Sequence, residues 1–482
     1  MTHKKKYVIV GAGLCGLTTG QRLAAAGHDV TVLERSPFVA GLARSLRHDD
    51  GFVFDIGPHF FFLSVRSDVS DYVRRMVRKP YSEIDYQISA NFRGKDIAWP
   101  PSATSLFKLP PAAVLHYLRK MVKHQYPTES DFEGVTTFLY GKSLYEVFFG
   151  PYIHKKLPVV EGAELHRDWW ILARRGTDNR LDVKRDQGLS KIAQATQKKQ
   201  VTLGKKVMKT VDIFYRTGMS MISKKGLPKV LYPHQGIGCI GEGIADEFVK
   251  AGGRLVLNAR GVKLERSGER IARVSWDGGA IEAPEHVVWT GSIHELADQM
   301  GVPRAKVDYM SVALVFVRTN KRIERAQYLY TYYADKELIF NRVSFPTRAS
   351  KELAPPGADS ICAECSPSDG SDFEDRKALE QRVIDGLVKV GLIRPADVAR
   401  VDVHVAKDSY PIYPLDYMQR LEELWSKLRP ISNLTSVGRT GQFYYNNMAL
   451  TVLLGLDLSA DLLGEPRFQE SASVQQEMSG AT

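Results

Sequence analysis

Cysteine is scarce in this chain: four residues in 482, Cys15, Cys239, Cys362 and Cys365, far below the density of a disulfide-stapled scaffold. A reducing cytoplasm is the compartment that this usage suggests. Cys362 and Cys365 have the spacing of a redox or zinc pair, but Ser360–Ser366 reads as a short strand, on which residues three apart face opposite sides. No second Cys/His pair lies nearby to complete a four-ligand zinc site, so no metal is expected. Long apolar runs are missing as well. None reaches the ~18 residues of a membrane-crossing helix, and the basic start followed by Tyr7–Val10 is broken at once by Gly11, Gly13 and Gly16, which favours a first strand over a signal peptide. With 44% hydrophobic and 25% charged residues, the chain is neither disordered nor fibrous. Its length exceeds what one core usually organises, so more than one domain is expected.

Positive charge, by contrast, is in surplus. Lys and Arg number 66 against 55 Asp and Glu, a formal +11, which invites nucleic acid, a membrane surface or an anionic small molecule as partner. Zinc spacing, RNP-type aromatics and a recognition helix are all missing, so nucleic acid drops out. A membrane surface and an anionic small-molecule substrate, phosphate-bearing for instance, remain on composition alone, and homo-oligomerisation is left open. The lysine-rich stretch that includes Lys198, Lys199, Lys205, Lys206, Lys209, Lys224, Lys225 and Lys229 reads as a solvated face or an anion-steering rim.

The chemistry begins at the N-terminus. Tyr7–Val10 is apolar on both faces, as a buried parallel strand should be, Leu14–Ala26 has helical spacing with Gly27 as a stop, and His28–Glu34 reads as the next strand. Between the first strand and the helix stands Gly11-Ala-Gly13-Leu-Cys-Gly16. Gly11 permits the tight turn, Gly13 admits a pyrophosphate against the backbone, and Gly16 lets helix and strand approach. The helix N-terminus offers N–H groups to phosphate, and Glu34, some twenty residues on, can accept from an adenosine ribose. Together these predict an α/β Rossmann-type dinucleotide fold.

Which dinucleotide follows from the next segments, Ala40-Gly41-Leu42-Ala43-Arg44-Ser45 and Asp55-Ile-Gly57-Pro-His59, and from the late strand Val287–Gly291. Here the sequence resembles the FAD-binding superfamily that includes amine oxidases, protoporphyrinogen oxidase and UDP-galactopyranose mutase, with Ala40 in place of the usual first glycine. The resemblance continues through Tyr140–Tyr152 with Lys155, Lys156, Trp169, Trp170 and Arg174, through Tyr232–Gly238, and through Ser409–Pro414 and Gly438–Met448. It implies FAD as cofactor, held by Gly11, Gly13, Gly16, Glu34, Arg35, Gly41, Leu42, Ala43, Arg44, Gly57, His59, Gly438, Arg439, Asn447 and Met448. It also implies a substrate grip made of Arg342, Arg439, Tyr410 and Tyr445, the positions that match the diphosphate-binding residues of the mutases, with His59 beside the flavin. Arginine forks and phenol donors suit phosphate oxygens on chemical grounds as well. Asn447 and Met448 should open the last helix. Ala449-Leu450 departs from the Asp-His or Asp-Gln that follows Met in the mutase pattern, which argues against strict mutase identity.

The expected architecture is a glutathione-reductase-like FAD domain assembled from residues 1–75, 225–302 and 405–468, and an interleaved mixed-sheet and helical substrate domain from 76–224 and 303–404. The first of those insertions reads as largely helical, residues 253–276 as a β-meander, and the polar stretch 469–482 as a frayed tail. The favoured function is an FAD-dependent oxidoreductase, protoporphyrinogen oxidase-like, taking hydride from a polar substrate such as a nucleotide sugar. Non-redox pyranose/furanose interconversion and flavin binding without catalysis are the alternatives.

Overall fold

The computed structural model describes residues 4–63, 66–99, 108–122, 130–158, 160–169, 227–366 and 375–466. Most of the lysine-rich stretch, Trp170, Arg174 and the C-terminal tail lie outside them.

Two sheets organise the molecule. The first is parallel and five-stranded, in the order Arg254–Val256, Asp29–Leu33, Lys6–Val10, His286–Trp289, Leu434–Ser436. Lys6–Val10 sits at its centre, and everything after Lys6 is buried, as the unbroken apolar run requires. The opening helix, Leu14–Ala25, is buried along nearly its whole length. It packs between Cys239–Lys250 and the last helix, Met448–Leu463. At that last contact a side chain on Gly455 would meet the Cys15 carbonyl at 2.7 Å and the Thr18 Cβ at 2.8 Å.

The second sheet is seven-stranded: Val398–Pro411, Tyr309–Thr319, Asp359–Cys365, Phe340–Ser344, Tyr330–Tyr333, Ile88–Phe92, Lys95–Trp99. Its pairings are antiparallel except that between Tyr330–Tyr333 and Ile88–Phe92. The strand Val398–Pro411 runs through residue 405, the expected start of the last piece of the FAD domain. Cys362 and Cys365 do face opposite sides, one packed into the main core and the other into a second core under Arg376–Lys389.

Two expectations are corrected. The insertion after residue 75 is not mainly helical at its start: Tyr81–Asp85 pairs with Lys229–Pro233, and the next two strands join the seven-stranded sheet. The meander is Lys263–Ser267, Arg270–Trp276 and Gly279–Glu282, while Arg254–Val256 goes to the parallel sheet.

Candidate functional site

At the C-terminal ends of the central parallel strands the backbone turns sharply. Gly11 donates to the Leu33 carbonyl at 2.8 Å and has φ +106°, and a side chain there would strike Thr290 Oγ1. Gly16 is equally constrained, since a Cβ would lie 2.2 Å from the Gly11 carbonyl. Gly13 differs: nothing lies within 4 Å of its Cβ position. Thus Gly11 and Gly16 shape the turn, whereas Gly13 leaves an open face at the N-terminus of the opening helix, the geometry that admits a pyrophosphate. Glu34 accepts from the Ala12 N–H at 2.8 Å and from the Ser36 N–H at 2.9 Å, and each carboxylate oxygen keeps a further acceptor site for a ribose hydroxyl.

The segment after the second strand closes over this turn. Ala40 donates to the Ala12 carbonyl at 2.8 Å and stands at φ +72°, a left-handed conformation that suits the glycine it replaces. Gly41 follows against Gly13, Leu42 lines the cavity described below, Ala43 is buried, and Arg44 Nε is buried with no hydrogen-bond partner. Burial lowers the Arg44 pKa, so an anionic acceptor for that donor fits the site. The open Gly13 face, the Glu34 carboxylate and this orphan donor are what a pyrophosphate-linked adenosine cofactor such as FAD requires. Arg35 is placed elsewhere: its side chain is 78% exposed and paired with Glu295 at 3.0 Å.

Asp55 holds the next layer. Its carboxylate accepts from Ser45 Oγ (2.6 Å), the Ile237 N–H (3.1 Å) and the Tyr232 hydroxyl. Burial lifts its pKa to about 6 despite those bonds. Through these bonds Asp55 ties the Tyr232–Gly238 turn to the segment that leads into Gly57–His59, a loop on the wall of a cavity of about 200 Å³ lined also by the seven-stranded sheet and the start of the last helix. His59 donates from Nδ1 to the Gly57 carbonyl at 3.2 Å. Because a carbonyl can only accept, Nε2 carries the lone pair. Burial, then the charges of Arg439 and Arg342, depress the imidazole pKa to about 4, and the ring is neutral at physiological pH.

Around this cavity the structure brings together His59, Arg342, Tyr410, Arg439, Tyr445, Asn447 and Met448. Gly438, at φ +91°, sits behind it against Cys15. Asn447 caps the last helix, accepting from the Leu450 N–H at 3.0 Å, and Met448 opens it. Arg439, however, spends three donors on main chain: Nε and Nη2 on the Ser409 carbonyl (3.0 and 2.6 Å) and Nη1 on the Asn446 carbonyl (2.8 Å). Its guanidinium lies 5.2 Å from the Tyr410 ring and 4.7 Å from the Tyr445 ring. Arg439 thus fastens two segments of the wall, its fork taken up by main-chain carbonyls.

Arg342 is engaged differently. It bonds Glu364 and, at 3.1 Å, the Tyr410 hydroxyl, while Glu364 also takes the ammonium of Lys156. Lys156 and Glu364 are each only 2% exposed. Burial alone would raise Glu364, but the two cations hold it down to about 2. Arg342, pulled down by burial, is carried well above its ordinary value by the carboxylate, and Lys156 is lowered by burial with Glu364 opposing. One signal for Glu364 was present in the sequence: it is a charged residue flanked by apolar ones, in a strand that in the structure is buried along its whole length. The wall is otherwise aromatic, with Tyr86, Tyr152, Tyr330 and Tyr332 among its residues. Three buried donors on it have no hydrogen-bond partner: Arg342 Nε, Trp169 Nε1 and Asn446 Nδ2.

Among the described residues no cluster of three metal-ligating side chains occurs, and no helix is long and apolar enough to cross a membrane. All four cysteines are buried and unpaired.

Comparison with known proteins agrees with this architecture. A solved reduced UDP-galactopyranose mutase is 18% identical with a TM-score of 0.72, covering 96% of both chains. A putative protoporphyrinogen oxidase from an Exiguobacterium species is 14% identical with a TM-score of 0.68, over 96% of this chain and 99% of that one. Among curated proteins, the phytoene desaturase of Fusarium fujikuroi is 47% identical over 60 residues, 12% of this chain and 10% of that protein. The L-amino-acid oxidase of Sistrurus catenatus edwardsii is 36% identical over 98 residues, 20% of this chain and 17% of that one. The chain thus spans under a fifth of the length of either relative. Residues 9–79 match the NAD(P)-binding Rossmann-like domain, and residues 192–440 match the flavin containing amine oxidoreductase family. The second match takes in just over half of the sequence: the chain belongs to the flavin-containing amine oxidoreductases, enzymes whose cofactor is FAD.

Proposed function

We propose that this enzyme is an FAD-dependent oxidoreductase whose substrate is polar, rich in acceptor oxygens and anionic, a phosphate- or nucleotide-linked sugar being the type that suits it. The three orphan donors on the cavity wall carry this reading. A buried donor without a partner costs about 1–3 kcal/mol, so three on residues that line one cavity favour a ligand that brings acceptors. An alkylammonium would bring only donors and a charge repelled by Arg342, Lys156 and Arg439. FAD, when bound, supplies the acceptor for the substrate's hydride.

The chain's own residues bind, orient and exclude water. The Gly11–Gly16 turn, Glu34 and Arg44 would take the adenosine diphosphate half of the cofactor. The N-terminus of the last helix, at Asn447 and Met448, would place its partial positive charge beside the flavin ring. Arg342 and Tyr410 would hold the substrate anion. Tyr86, Tyr152, Tyr330 and Tyr332 keep the cavity dry and present hydroxyls to a polyol. His59, neutral with Nε2 free of its proton, can receive a hydrogen bond from a substrate hydroxyl without adding charge.

A second reading, mutase-like ring interconversion of a nucleotide sugar, is favoured by one observation: Arg342, Arg439, Tyr410 and Tyr445 all line the same cavity. Anaerobic incubation with a panel of nucleotide sugars and sugar phosphates separates the two. Bleaching of the oxidised flavin absorbance by a substrate, without isomerised product, is expected. Furanose product accumulating from prereduced enzyme with no change in flavin oxidation state would overturn the oxidoreductase reading.

A further inference from the structure

Charge bookkeeping inside the cavity wall points to a finer property. Lys156 and Glu364 are buried, and the Arg342 side chain is only 14% exposed. Two cations share one carboxylate, so one positive charge is left without a counter-charge in a low-dielectric setting, where an unpaired ion is strongly unfavourable. The other ionisable groups around them do not balance it. Burial raises the Tyr410 pKa to about 12, and burial likewise keeps the Tyr152 and Tyr445 hydroxyls protonated. His59 is neutral. Arg439 is an added cation, solvated by two carbonyl oxygens and two ring faces. Arg342 Nε, meanwhile, has no partner at all.

We propose that Lys156, Glu364 and Arg342 form a charge-counting subsite that accepts a substrate group carrying a single negative charge, and that Glu364 is the residue that sets this count. A carboxylate and a phosphodiester meet the requirement equally, because each carries one negative charge. A phosphate monoester or sulfate, with up to two, is mismatched. Without Glu364 the triad would present two positive charges and prefer the dianion. With it, the triad's own surplus is one, Arg439 standing apart with three donors turned to main-chain carbonyls, and Lys156 and Arg342 are also held in place by a shared carboxylate rather than repelling each other. This assignment rests on the anionic-substrate reading above and sharpens it.

Its test is ligand titration of FAD-loaded enzyme, followed by perturbation of the flavin absorbance, with acetate, dimethyl phosphate and sulfate as probes. Wild type is expected to bind the two monoanions more tightly than sulfate, and the order of acetate and dimethyl phosphate tells whether a carboxylate or a phosphodiester is the natural group. Glu364→Gln should invert the monoanion-to-dianion preference by roughly tenfold or more, and Lys156→Met, which cancels the surplus, should weaken all three probes. The decisive variant combines both changes. Lys156→Met/Glu364→Gln restores one surplus charge and should restore the wild-type preference, whereas a merely structural triad would be worse than either single variant. An unchanged preference in Glu364→Gln that still retains FAD, or failure of the double variant to recover it, would overturn the assignment. Because no turnover is needed, a failure of the oxidoreductase reading shows separately, as flavin that no substrate reduces.

Discussion

A single imidazole shows how far burial outweighs residue type in this cavity. Histidine in the Asp55-Ile-Gly57-Pro-His59 segment was legible as a site residue, but its charge was not, because the groups that set it, Arg342 and Arg439, lie hundreds of residues away in sequence. The consequence is measurable. A folded-state pKa near 4 lies below the ordinary value of about 6.5, so the unfolded chain binds the proton first as the pH falls. His59 is thus without effect on stability above about pH 6.5 and destabilises the fold progressively between about 6.5 and 4. His286, also buried and lowered to about 4, acts in the same direction, and Asp55, raised to about 6, opposes them over part of that window. In thermal melts from pH 7.5 to 4.5, His59→Asn should lose less stability than wild type across the acid limb. Parallel curves for the two proteins would show that His59 is not buried neutral. Glu364, between Cys362 and Cys365, was marked in the sequence only as a charge flanked by apolar residues, while its pairing with Lys156, 208 residues away, was not.

At the scale of elements, the N-terminal strand–helix–strand was readable because local signals agree there: apolar runs for buried strands, a glycine turn between them, helical spacing bounded by Gly27. The short strands Tyr81–Asp85, Ile88–Phe92 and Lys95–Trp99 were not readable. Each has five residues with polar groups intermixed, and two of them earn their place only by pairing in a sheet whose other strands come after residue 308. The last helix is a sharper case. Its start at Asn447 and Met448 could be read from the motif, but its close seat on the opening helix depends on Gly455, for which the sequence carries no local mark. Gly455→Ala would place a methyl within 3 Å of both the Cys15 carbonyl and the Thr18 Cβ, and backbone cannot yield as a flexible side chain does. Overpacking of this kind costs about 1–3 kcal/mol. An unfolding free energy lowered by that amount in denaturant titration, with weaker FAD retention because the N-termini of both helices would lie at the cofactor, is the expected outcome. Wild-type stability would mean that the helices separate freely.

For the molecule as a whole, the composition gave length for more than one core and a surplus of positive charge, and the structure puts three of those charges, Lys156, Arg342 and Arg439, on the wall of one cavity. What composition could not show is how the two sheets are joined. The hairpin Ser45–Arg47/Val53–Asp55 leaves the cofactor turn and packs on the seven-stranded sheet, with Phe54 stacked on Phe316 at 4.4 Å. At the centre of that contact Arg318, only 1% exposed, pairs with Asp50 of the hairpin at 2.9 Å and with Asp402 of the neighbouring strand. Its guanidinium also lies 5.6 Å from the Phe52 ring and 5.4 Å from the Phe54 ring. The next residues after this hairpin are the Gly57–His59 loop of the cavity, so Arg318 ties the loop's position to the sheet that carries Arg342 and Glu364. Arg318→Met keeps much of the packing volume but leaves Asp50 without its partner. Since Asp50 and Asp402 are partly exposed and can take up water, the cost should be about 2 kcal/mol, less than for a fully buried pair. Functionally, the site should loosen where the two sheets meet: ligand affinity in the cavity falls while FAD retention, which depends chiefly on the parallel sheet, changes little. Calorimetric unfolding together with anion titration of the FAD-loaded variant checks both parts. Intact ligand affinity in a destabilised Arg318→Met would show that apolar stacking at Phe54 and Phe316 alone sets the loop, and that the buried arginine contributes stability without alignment.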